Sequence, residues 1–258
     1  MKKALQLLLV SLFFLTFVSC SSDSDADNPV LLKKLTALTM GQNATHTFSY
    51  NGTKLTKVSF EIEAQTDGIG YDKYVYNGDL ITEIKRFNAS NQNTTTTQFT
   101  YNANNQLTEV VKLQPANNYG FKNVFTYNID GSVLVTGFIG DTNSQTNLSD
   151  ITEKFYFQNG EVSQRDYSST TLSFSVAYAY DNAHHPMHNV TGINAIKLYS
   201  FIANGLFGMQ HNMTQQTTTI SGNAATQVTL QADYNSSNYP VALYSDNGEY
   251  QYQFVYIK

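Results

Sequence analysis

A short aromatic stretch followed by an Asn-containing turn returns along most of this chain, and that self-similarity restricts the architecture before any single residue suggests a chemistry. The aromatic residue stands at Tyr50, Tyr76, Tyr101, Tyr127, Phe157, Tyr180 and Tyr234, roughly every 25 residues, with the last interval about two periods. A second signature follows the turn, as Leu55-Thr56-Lys57-Val58, Ile81-Thr82-Glu83-Ile84 and Leu107-Thr108-Glu109-Val110, with looser forms at Val162 to Arg165 and Met187 to Val190. Tyr, Phe, Thr, Val and Ile suit a pleated, half-buried surface, whereas Asn-Gly tolerates the positive backbone angles of a two-residue hairpin turn. Each unit therefore reads as a β-hairpin. Asn51-Gly52, Asn77-Gly78 and Asn159-Gly160 carry the strongest turn signal, and the runs from Asn128 to Gly131 and from Asn102 to Asn105 imply longer loops.

Hairpins in series make an antiparallel meander, so the expectation is an all-β, repeat-built sheet, strongly twisted and rolled, or an incomplete barrel. One detail resists simple alternation. Leu55 and Val58, or Ile81 and Ile84, would point to opposite faces of a regular strand, so either a bulge intervenes or both faces are partly covered. With Trp absent and Tyr and Phe numbering 18 and 16, aromatic rings must supply much of the core.

On Phe48-Ser49-Tyr50-Asn51-Gly52, Tyr74-Val75-Tyr76-Asn77-Gly78, Phe99-Thr100-Tyr101-Asn102, Phe125-Thr126-Tyr127-Asn128 and Tyr178-Ala179-Tyr180-Asp181, the chain resembles the YD-repeat, RHS-like lipoproteins of Gram-negative bacteria. Asp181, Pro186 and Asn189 match the late unit of such lipoproteins. The resemblance implies a porin-like or rolled sheet and no known activity. Most turns here carry Asn where the larger RHS proteins carry Asp.

The N-terminus reads as an address. Lys2 and Lys3, the apolar run from Leu7 to Val18, and Ser19-Cys20 have the three regions of a secretory signal, in a run too short for a membrane span. Residues 1–19 are read as signal peptide and 20–30 as a lipidated Cys20 with an acidic, flexible tether, Ser21 to Pro29. Residues 31–258 form a single β-repeat domain. Val18-Ser19-Cys20 fits the lipobox, with Phe17 where Leu is usual; an ordinary leader cut near Ser19, leaving a free thiol, is the alternative. The acidic tether favours the cell surface over the periplasmic face of the outer membrane. A formal charge of −5, more negative once the leader's lysines go, argues against nucleic acid. Attachment to the membrane is therefore expected through the lipid.

Gly192 to Phe207 breaks the repeat, and Ile196, Tyr199, Ile202, Ala203 and Leu206 recur at helical spacing, predicting one short helix near 194–207 that lies on the sheet or closes its open end. A buried strand is the alternative there. The stretch from Glu249 to Lys258 alternates strictly and reads as an edge strand. Terminal aromatic strands also occur in outer-membrane barrels, but Lys57, Glu83, Lys85, Arg86, Glu109 and Lys112 interrupt the apolar face that such a barrel needs.

Signals of chemistry are sparse. His184, His185 and His188 are weak metal candidates, because Pro186 breaks the helix that an i, i+4 histidine pair requires. Glu61, Glu63, Asp67 and Asp72 have no spacing that favours acid/base work. No catalytic constellation and no cofactor is expected. The reading is a lipid-anchored, non-catalytic interaction module whose ligand is a protein or a glycan, since Tyr with Asn and Thr neighbours suits sugar rings. The alternatives are an outer-membrane β-barrel and a glycan-processing or metal-dependent enzyme.

Overall fold

The structure, a computed structural model, describes residues 28–39, 41–65, 68–204 and 209–258. The leader, Cys20 and the tether up to Asp27 lie outside the described residues, as do Asp67 and Leu206. Strands β1 (Leu31–Thr39), β2 (Gln42–Asn51), β3 (Lys54–Ile62), β4 (Ile69–Asn77), β5 (Leu80–Asn88), β6 (Asn93–Tyr101), β7 (Leu107–Gln114) and β8 (Tyr119–Tyr127) build one half of a wall. The other half is β9 (Val133–Gly140), β10 (Gln145–Gln158), β11 (Glu161–Ser168), β12 (Ser173–Tyr180), β13 (Met213–Ile220), β14 (Thr226–Tyr234), β15 (Pro240–Ser245) and β16 (Tyr250–Ile257).

Every strand pairs antiparallel with its sequence neighbours, and β16 runs back against β1 from Ile257 opposite Leu31 to Tyr250 opposite Thr39. The meander is therefore a closed barrel. The edge expected at the C-terminus does not exist, because β1 takes up the hydrogen bonds that an edge would leave open.

Bulges settle which face each side chain takes. On β5, Ile81 lies opposite Tyr76 and Ile84 opposite Tyr74, with the register shift falling between them. The same shift brings Leu55 opposite Tyr50 and Val58 opposite Phe48, and Leu107 opposite Tyr101 and Val110 opposite Phe99. Both apolar residues of each signature thus face inward, and the added twist helps the sheet to curl. Leu55, Ile81, Leu107, Phe155 and Val162 are almost fully buried in the resulting core.

The repeated tyrosine is a strut between neighbouring strands. Tyr50, Tyr101, Tyr127, Tyr180 and Tyr256 donate their hydroxyls to the carbonyls of Leu32, Ile81, Leu107, Val162 and Pro240, each near the start of the preceding strand, at 2.5 to 3.1 Å. Burial pushes the phenols of Tyr101, Tyr180 and Tyr256 up, which keeps them protonated as donors.

The turns divide by chemistry. Asn51 pairs with Lys54 and Asn77 with Leu80, so the two-residue loops are Gly52-Thr53 and Gly78-Asp79, with Gly52 and Gly78 at φ of 59° and 56°. Each Asn is the last strand residue rather than a loop residue, one place off the expected position. At the third pair Asn159 and Gly160 do fill the loop, both with positive φ. The longer loops repeat a different device: the side-chain oxygen of Asn88, Asn102 or Asn235 accepts two backbone N–H groups of its own turn. Asn128 opens a related loop, in which its carbonyl accepts from the N–H of Gly131.

Candidate functional site

All these turns except the one at Asn88, which joins β5 to β6 at the opposite end, lie at one end of the barrel, and the described residues of the connection from β12 to β13, 181–204 and 209–212, fold across that end inside the wall. Its helix α1 (Ile193–Asn204) matches the helix expected from the sequence and closes the end. The expected single apolar face does not hold, because Ile193, Ile196, Leu198 and Phe201 are all buried, as suits a helix surrounded by wall. Phe201 meets Phe155 and Tyr178 edge-on with centroids 6.3 and 5.1 Å apart, and Tyr199 meets Phe99 at 5.2 Å.

Polar clamps fix this floor around the rim. Buried Glu161, at the start of β11, accepts backbone N–H groups from Met209, Gln210 and His211 at 2.6 to 2.7 Å. Asp181 accepts from the N–H groups of Ala183 and Asn212 and from the hydroxyl of Tyr234. Asn189 donates to the Val30 carbonyl and to the Tyr239 hydroxyl, while Tyr76 donates to the Thr191 carbonyl. Gly192, at φ 83°, passes so close to the Asp79 carbonyl that a Cβ would stand 2.6 Å from it. The side chain of Lys197 is buried in the floor, and desolvation lowers it to about 8, partly offset by Glu161.

The three histidines belong to this floor. His185 is buried and its Nδ1 accepts from the Met187 N–H; desolvation, then Lys197, holds it well below the ordinary range. His184 and His188 stack obliquely, 4.6 Å apart, beside Tyr239, and Pro186 is buried between them in the chain. Among the described residues no group of three or more His, Cys, Asp or Glu is arranged to hold a metal.

Above the floor the lumen carries charge. Arg86 makes a two-pronged pair with Asp72, Nε to Oδ1 at 2.8 Å and Nη2 to Oδ2 at 2.7 Å, and Arg165 donates to Glu153 at 2.6 Å. The register turns all four inward. A lone charge in mid-strand reads as solvent-facing, so the sequence conceals such pairs. Glu61, by contrast, faces outward into a shallow groove of about 350 Å³ with Thr45, Thr47, Ser59 and Tyr71. Glu63 accepts from Asn43 and Asp72 is taken by Arg86, so among the described residues Glu61, Glu63 and Asp72 do not converge. Phe87 from β5 and Lys57 from β3 flank the Tyr71 ring, which is therefore no open platform for a sugar.

No protein-family model matches the chain, and no curated protein does. A crystal structure of a porin-like protein from Bacteroides uniformis is similar, with a TM-score of 0.54 at 12% identity, covering 88% of this chain and 98% of that one. At that identity the likeness shows the fold, a porin-like β-barrel. The closed barrel agrees with the all-β, repeat-built meander with one short helix expected from the sequence, and closure completes what that expectation left as a rolled sheet or incomplete barrel.

Proposed function

We propose that the chain is an outer-membrane-associated, porin-like barrel protein whose wall faces water, a floored cup that binds rather than a pore that conducts. The supporting observation is the polarity of the outer wall. Register places Lys57, Lys73, Glu83, Lys85, Glu109, Lys122 and Lys154 on the outside, near mid-strand, where a membrane barrel needs an unbroken apolar band. Lys57, Lys73 and Lys85 even stand side by side across three strands. A lysine or arginine on the lipid face at the bilayer midplane costs about 2–4 kcal/mol, so several together disfavour immersion. Attachment through a lipid on Cys20 and a role without catalysis complete this reading.

A membrane-spanning barrel is the second reading, favoured by the even number of antiparallel strands and by the porin-like neighbour. Detergent-free purification decides between them. The chain carrying Cys20→Ser is expected to remain monodisperse in buffer and to leave liposome conductance unchanged. Dependence on detergent for solubility, or ion flux through planar bilayers, would establish the membrane-spanning form instead.

A further inference from the structure

The half of the lumen away from the floor has two unlike walls. From β8 to β13, five of six successive strands turn one apolar or aromatic side chain inward toward the mouth, Phe121, Ile139, Tyr167, Phe174 and Ile220, and partly exposed Ile151 lies in the irregular stretch of β10 between them. Cross-strand register fixes most of these neighbours, with Phe121 opposite Ile139, Tyr167 opposite Phe174, and Phe174 opposite Ile220. Tyr167 and Phe174 stack at 4.7 Å. None is sealed in the core: Ile139 and Ile220 are each 37% exposed, and the others are partly so. Six strands at about 4.8 Å spacing make a band about 24 Å long, too extended for scattered surface apolars and open to the lumen water.

At the β7 end of this band stands Lys112, directly opposite Phe121 on one side and Thr97 on the other, which sets it on the inner face. The other inward charges of the wall above the floor are matched, Asp72 with Arg86 and Glu153 with Arg165. Among the described residues Lys112 has no ion-pair partner, and its side chain is exposed. An apolar band ending in one unmatched cation is complementary to an apolar body ending in one anion.

We propose that the open half of the lumen binds an amphiphilic carboxylate, its hydrocarbon body on the band from Phe121 to Ile220 and its carboxylate at Lys112. This rests on the reading of a floored, water-filled cup. Ammonium to carboxylate is a charge-assisted contact, and water released from the band supplies the rest of the affinity.

Titration calorimetry on the Cys20→Ser full chain, with sodium dodecanoate below its micellar concentration, tests the assignment. Saturable binding is expected. Lys112→Glu is expected to weaken dodecanoate at least tenfold while strengthening dodecyltrimethylammonium, and Phe174→Ser to weaken both; Lys112→Met serves if Lys112→Glu fails to fold, and is expected to weaken dodecanoate alone. Absence of saturable dodecanoate binding overturns the proposal, as does binding indifferent to Lys112, or heat from maltoheptaose in place of dodecanoate. Insolubility without detergent would instead overturn the water-facing cup, so the two failures are distinguishable.

Discussion

Floor and mouth are built by the same strands, yet their inner residues obey different rules. Leu55, Ile81, Leu107, Phe155 and Val162, near the turns, lose nearly all contact with water, while Phe121, Ile139, Phe174 and Ile220, farther along the same walls, keep part of theirs. The difference is not in the strand sequences, since both sets are apolar and inward. It comes from one long connection: a sixteen-strand wall leaves a lumen too wide for its own side chains to fill, and residues 181–204 and 209–212 occupy one end of it. A core thus exists only where a second element enters the ring.

Removing what pins that element should break the contrast most. Glu161→Ala strands three backbone donors in a buried place, so a loss of about 3–5 kcal/mol is expected in urea unfolding. Next, Leu107→Ala should cost about 2–5 kcal/mol, against under about 1 kcal/mol for Ile139→Ala at the mouth. Equal costs in chemical denaturation would show that the two halves are not different. Lys197→Met should stabilise the floor by about 1–3 kcal/mol at pH 7. The lysine's folded value lies below its ordinary 10.5, at about 8, so the unfolded chain holds more protons in that interval. Native stability should therefore rise between pH 8 and 10.5, and that rise should vanish in the Met variant.

Acid acts in the opposite sense. Buried His185 is held below 6.5, so as pH falls through 6.5 the unfolded chain takes up a proton that the folded floor refuses. Thermal melts should show stability falling below pH 6.5, with a weaker fall for His185→Phe. Smallest is the strut: Tyr101→Phe forfeits one bond to the Ile81 carbonyl, about 1 kcal/mol by denaturant titration. Phe157 shows that the wall tolerates a unit without that hydroxyl.

Much of the wall was legible because its instructions are local. Tyr76, the turn at Gly78 and the pair Ile81 and Ile84 lie within a few residues, and the bulge left its trace as a spacing of three where two was due. Closure left no such trace: β1 and β16 meet across almost the whole chain, and nothing in Leu31 to Thr39 names its partner. Helix α1 declared itself by its periodicity, and closing the open end was one of its two expected places, but its all-round burial was not legible, since Leu198 and Phe201 are buried on faces that a one-sided apolar stripe leaves outside. Glu161, Arg86 and Arg165 were hidden for a related reason. Each becomes a clamp or an ion pair only through a residue 12 to 50 positions away.

β1 leaves from the floored rim, where the Val30 carbonyl is held by Asn189, and β16 finishes beside it. Whatever grips the segment ahead of Asn28 consequently pulls on the base of the vessel. Were the proposed lipid on Cys20 that grip, the sealed side would hang toward the support and the aperture toward whatever drifts past.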